Sequence, residues 1–241
     1  MNKTKKTEVP PPSVNNGAAK NLQGQALVYC IVVDSKKNPS WGPFALSALG
    51  DSTQRAMKWI MKEAKTFGQS TNIITAWHGI TKVKPIVANP SPLSKNEFFT
   101  LTHVKNMDRW ADKICQKVIA DLGPDTLKVN SKRISWREKL VTRLKEKYQT
   151  DNIALVFFIN NSSTEQSSAA YHVSDNRGPE YAVVNTTRAT AIAHETLHLF
   201  GAIDLYLYPG PWSFRHRARV YQAYKDFPDD IMGRPYRDIN D

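Results

Sequence analysis

The sequence predicts an α/β fold with a buried, mostly parallel sheet, and three features carry that expectation. Residues 26–33 (ALVYCIVV) and 152–159 (NIALVFFI) are almost unbroken apolar runs, the signature of strands buried on both faces. Residues 72–77 (NIITAW) supply a further strand candidate. Between the first run and that candidate, Ala56, Met57, Ile60, Met61, Ala64 and Phe67 recur at helical spacing. A strand, helix, strand order of this kind makes a right-handed crossover between parallel strands.

The remaining elements follow in chain order. Residues 1–24 are poor in apolar side chains and contain Pro10-Pro11-Pro12 and Asn15-Asn16-Gly17, so they read as a flexible leader ahead of one domain at 25–241. Asp51 or Ser52 is placed to cap the first helix, and Gly68 to stop it. Ser94 with Glu97, and Ser135 with Glu138, fit the capping-box spacing, which predicts a helical insertion at 95–149 with helices at about 95–122 and 135–149. Gly123-Pro124-Asp125 turns the chain between them. After a polar loop at 160–168, residues 169–173 and 180–184 read as shorter strands, making five in all. The polar neighbours of Tyr171 and His172 suit an edge position. Asn185, Thr186 or Thr187 is placed to cap the helix that follows.

Composition narrows the class. With 41% hydrophobic and 23% charged residues the chain has the balance of a protein with a packed core. No apolar run reaches the eighteen residues a spanning helix needs, so no transmembrane segment is expected. The basic start is followed by prolines rather than an apolar stretch, so no conventional signal peptide is recognisable. That leaves a cytoplasmic protein or one exported by another route. Cys30 and Cys115 sit far from any CxxC or His-rich spacing and read as buried free thiols. The net charge of +11 allows a nucleic-acid partner, but much of the excess lies in the leader and at 128–147, which equally describes a solvated basic face.

Chemistry concentrates in residues 194–204, HETLHLFGAID. On a helix, His194 and His198 lie one turn apart on the same face, so two imidazoles can converge on one metal. Zinc accepts neutral imidazole nitrogen and, in catalytic sites, three protein ligands plus a water. Glu195 flanks the metal without ligating it, where a carboxylate can take a proton from that water. His-Glu-x-x-His on a helix is the signature of zinc metalloproteases. Gly201 can turn the chain sharply, and Asp204 follows where a carboxylate can swing back as third ligand. Gly makes up roughly 7% of residues, so its presence at a fixed later position makes accidental matches about tenfold rarer.

The extended pattern HExxHxxGxxD, followed by Asp229-Asp230-Ile231-Met232-Gly233, resembles the metzincin clan of zinc peptidases. Asp in place of the usual third His is similar to the small snapalysin-type enzymes. The resemblance implies a twisted, mostly parallel five-stranded sheet with an antiparallel edge strand, an active-site helix and an irregular C-terminal subdomain at 201–241. It implies a zinc-dependent endopeptidase, with Zn2+ on His194, His198 and Asp204 and with Glu195 as base. Met232 would lie in the turn beneath the metal. Tyr236 has two readings, a hydrogen-bond donor to the transition state or a packed aromatic, with Tyr206 and Tyr208 weaker candidates for the donor. His78, His103, His172 and His216 are expected to be structural or surface residues, with His172 placed to line a cleft. A protein or peptide substrate is the expected partner of a monomeric chain. The rival is a basic nucleic-acid-associated protein with a structural zinc helix, or a peptidase linked to DNA. A toxin or effector role would suit a lone peptidase domain behind a flexible leader.

Overall fold

Strand β1 (Gly24–Ser35) is buried from Ala26 to Asp34, and its alternating side chains build two separate cores. A computed structural model describes residues 19, 22–35, 40–80, 84–89, 101–123, 134–160, 169–171, 179–206, 214–234 and 239. Odd-numbered β1 residues, Leu27 to Val33, join Ile153, Leu155 and Phe157 of β4 (Asn152–Ile159) on one face. Helices α2 (Leu101–Asp121) and α3 (Trp136–Tyr148) cover that face. Even-numbered residues, Ala26 to Val32, join Ala154, Val156 and Phe158 on the other, beneath α1 (Pro43–Thr66) and α4 (Ala189–Leu199). The period of two along a strand is thus converted into a three-layer α/β/α arrangement.

The sheet runs β2 (Thr71–His78), β1, β4, β6 (Tyr181–Val184), β5 (Ala169–Tyr171). Every pairing is parallel except β5 with β6, which leaves an antiparallel strand at the edge as expected. All eight residues of β4 are buried, the pattern its apolar run predicts. A sixth strand, β3 (Ile86–Ala88), was not expected; it pairs with the end of β1 on the edge that β2 occupies further back. Three residues are too few to carry a hydrophobic period. Gly79 marks where the chain leaves that edge: its φ is +95°, and a Cβ there would stand 3.0 Å from the Pro85 backbone and 3.2 Å from Val32.

Several boundaries differ from expectation. Helix α1 begins at Pro43 rather than near Asp51, because Pro at the first helical position is pre-shaped for a helix start and Gly42 serves as N-cap. Asp51 and Ser52 therefore lie inside the helix. Gly68, at φ +72°, does follow its end. The Ser135–Glu138 capping box forms in both directions, at 3.2 Å and 2.8 Å, whereas Ser94 and Glu97 lie outside the described residues. The C-terminal part is not wholly irregular, since α5 (Phe214–Asp226) occupies much of it. Its sequence hides the helix because only Val220 among its described side chains is fully buried. Cys30 and Cys115 are free, buried on opposite faces of the sheet, and burial pushes both thiols up, so neither is reactive. No described helix is long and apolar enough to cross a membrane.

One buried charge network holds α2, α3 and β6 together. Arg137, 1% exposed, reaches Asp108 at 3.0 Å, Asp112 at 3.0 Å and the Pro179 carbonyl at 3.2 Å, and lies 4.9 Å from the centre of the Tyr181 ring. The Tyr181 hydroxyl donates to Asp108. Truncating such a cation strands two carboxylates, so Arg137→Ala should lose about 3–5 kcal/mol in urea unfolding. At the far end of α2, buried His78 donates from Nε2 to Asp121 at 3.2 Å. Burial lowers the His78 pKa more than half-exposed Asp121 raises it. Below the ordinary histidine pKa the unfolded chain takes a proton that the folded chain refuses, so stability falls as pH drops through that window. Replacing His78 with Gln should flatten this slope, read from urea midpoints across the acidic range.

Candidate metal centre

Helix α4 is buried on nearly every side, which fits an apolar sequence with few surface residues. Its N-cap is Arg188, without a side-chain cap; the expected capping by residues 185–187 reduces to Thr186 Oγ1 accepting from the Arg188 N–H. Its end is a Schellman turn. Gly201, at φ +94°, donates its N–H to the His198 carbonyl at 2.9 Å, and the Ala202 N–H donates to Leu197 at 3.1 Å. The same reversal brings the Ala202 carbonyl back over the helix, where it accepts from His198 Nδ1 at 2.9 Å.

His194 is oriented from a more distant segment. Its Nδ1 donates to the Ile231 carbonyl at 3.0 Å, 37 residues along the chain. Ile231, Met232 and Gly233 form a tight turn in which the Met232 N–H donates to Asp230 Oδ1 at 2.8 Å and the Gly233 N–H to the Asp230 carbonyl at 3.0 Å. The Met232 carbonyl accepts from the Leu205 N–H at 2.9 Å, tying the turn to the residue after Asp204. The Met232 side chain is buried in the same core as Ile192, Ala193 and Leu199. Met232 thus lies in a turn, as expected, with its side chain buried in the core that α4 also enters.

Both imidazoles spend their Nδ1 proton on a carbonyl, so both present a bare Nε2 lone pair to the same point. Those Nε2 atoms lie 3.2 Å apart, and Asp204 Oδ1 stands 3.2 Å from His194 Nε2 and 3.1 Å from His198 Nε2. Among the described residues this is the group of three side chains able to hold a metal ion. Ligand bonds of roughly 2.0–2.1 Å in a tetrahedron give edges of about 3.3–3.4 Å, close to the triangle here. Three electron-rich atoms at such distances attract a cation. The protonation energetics point the same way: burial opposes charge on His198, yet Asp204 and Glu195 raise its pKa. Burial opposes charge on Asp204 too, yet the histidines, whose Nε2 atoms donate to it once protonated, hold it far below the usual carboxylate range.

Glu195 is buried, 7% exposed, on the same helix, close enough for its charge to act on His198. The structure thus gathers His194, Glu195, His198 and Asp204 in one place. Tyr236, Tyr208 and His172 lie outside the described residues. The ring of Tyr206 lies 6.0 Å from that of His194. His78 and His103 are buried away from the centre, as structural residues. Sequence reading did not find the Ala202 and Ile231 carbonyls that aim the imidazoles, because any residue type carries a carbonyl. Searches against protein families, curated proteins and solved structures return no match for the chain.

The Schellman turn gives a direct test. A left-handed backbone costs a residue with a Cβ about 1–2 kcal/mol, so Gly201→Ala should lower stability by that amount. It should also loosen the aim of His198, broadening its imidazole resonances in NMR spectra while leaving those of His78 sharp.

Proposed function

We propose that the chain is a zinc-dependent metalloendopeptidase of metzincin type. The observation that carries this reading is the convergence of His194 Nε2, His198 Nε2 and Asp204 Oδ1 within 3.1–3.2 Å, each imidazole held by a backbone carbonyl and Glu195 beside them. Imidazole nitrogen with carboxylate suits zinc better than the all-oxygen preference of calcium or magnesium. Structural zinc sites close with four protein ligands, whereas three side chains converge among the described residues, the number that catalytic sites use.

His194, His198 and Asp204 would hold the ion. When bound, zinc supplies Lewis acidity and brings the pKa of a water towards 7. Glu195 accepts a proton from the attacking water on its carboxylate and returns it to the nitrogen of the departing amine. The substrate lies along β5, the last strand in the sheet order, whose outer edge offers backbone groups to an extended peptide. Helix α4, which carries His194 and His198, packs against both β5 and β6, which supports this reading.

Purified wild type and Glu195→Gln should each carry about one zinc per chain by atomic absorption. Casein hydrolysis should fall by about 10²–10⁴-fold in the variant. Asp204→Ala should lose zinc affinity beyond the roughly 10–100-fold cost of an outer-shell partner, read by competition with a chromogenic chelator. A folded wild type that binds no zinc would falsify the assignment. Full hydrolysis by Glu195→Gln would remove the carboxylate from the mechanism.

A further inference from the structure

We infer that α5 is a docking surface for an acidic stretch of the polypeptide substrate, an inference that rests on the proposed peptidase activity. Val220 is buried, and Ala223 and Tyr224 are partly buried, so this side seats the helix on the protein. At about 100° per residue, Phe214, Ala218, Tyr221 and Lys225 form one ridge, with Arg215 and Arg219 on one flank and Arg217 on the other. All seven are exposed, Phe214 by 86% and Tyr221 by 67%. A solvent-facing aromatic ridge between arginines is costly to leave uncovered and complements a chain that carries both carboxylates and apolar side chains.

The contrast with α3 makes the point. That helix is also basic, but its charges are engaged within the protein: Arg137 by Asp108 and Asp112, Arg143 by the carbonyls that end α2, and Lys145 by Asp151. Lys139 and Lys147 lie over Trp136 and Tyr148. Among the described residues no carboxylate pairs with Arg215, Arg217, Arg219 or Lys225, and the acid on α5, Asp226, accepts from Gln222 at 2.7 Å. The positive charge of α5 is therefore available to a partner.

Position favours a polypeptide. The Tyr224 hydroxyl donates to the Gly233 carbonyl at 3.4 Å, and a Cβ on Gly233 would stand 3.1 Å from the Tyr224 ring. Gly233 belongs to the turn whose Ile231 carbonyl aims His194. Helix α5 is thus joined through its seated side to the turn that orients His194, and its 13 residues span about 20 Å, enough for a short extended segment.

The test measures fluorescence anisotropy of a labelled peptide of Glu, Asp and Leu, and of its Gln, Asn and Leu counterpart, on full-length Glu195→Gln. The acidic peptide should bind at least about tenfold tighter, and added salt should erase the difference. The same protein with Arg215, Arg217 and Arg219 all changed to Gln should lose the preference while keeping its zinc content and circular dichroism. In the wild-type background these three changes should raise KM for an acidic substrate without lowering kcat. Equal binding of the two peptides overturns the inference, as does arginine-dependent binding of an oligothymidylate or of phosphatidylserine vesicles tighter than that of the acidic peptide. Zinc content and casein hydrolysis by the wild type report the peptidase reading separately. A hydrolytic protein without charge preference therefore overturns this inference alone.

Discussion

Two backbone carbonyls decide what the candidate metal centre can do. An imidazole has two nitrogens, and which one carries the proton depends on what the other face meets. Here Ala202 and Ile231 take the Nδ1 protons of His198 and His194, which leaves both Nε2 lone pairs pointing inward. Asp204 adds a third electron-rich atom, and the resulting concentration of negative potential favours positive charge there, as the raised pKa of His198 against its burial shows. Without those carbonyls the same three residues could adopt tautomers that hydrogen-bond one another and attract nothing.

The carbonyls are held by unequal means. Ala202 is placed locally, by the left-handed turn at Gly201 that also closes the helix, so one residue type performs two tasks. Ile231 is placed by tertiary structure, through a turn pinned by Asp230 and joined to the Asp204 segment by the Leu205 to Met232 hydrogen bond. That bond makes the third ligand and the anchor of the first ligand parts of one unit. The buried Met232 side chain anchors this unit in the core shared with Ile192, Ala193 and Leu199 of α4.

The sheet supplies the platform. Parity along β1 and β4 sends alternate residues to opposite cores, and the face that receives α1 and α4 is the one bearing the candidate ligands. The Arg137 network lies on the other face, stitching α2 and α3 to the start of β6. Because β6 pairs with the edge strand β5, that network also ties α2 and α3 to the edge of the sheet. Charge is divided in the same way: the cations of α3 serve the fold, and those of α5 face outward.

Local chemistry was legible in the sequence. The apolar runs placed β1 and β4, the Ser135–Glu138 capping box placed α3, and HETLHLFGAID picked out the three side chains that the structure brings together, because each signal involves residues within a few positions of one another. Helix α1 starts earlier than the capping candidates Asp51 and Ser52 suggest because Pro43 itself suits a first helical position, and β3 is too short to show a period. α5 stayed hidden because its described side chains face water almost throughout, which erases the apolar stripe that reveals a helix. By itself, then, the sequence determined which side chains could hold a metal and where the buried strands run. Only the tertiary structure decided which nitrogen His194 presents, since that depends on a carbonyl 37 residues away whose position no local pattern encodes.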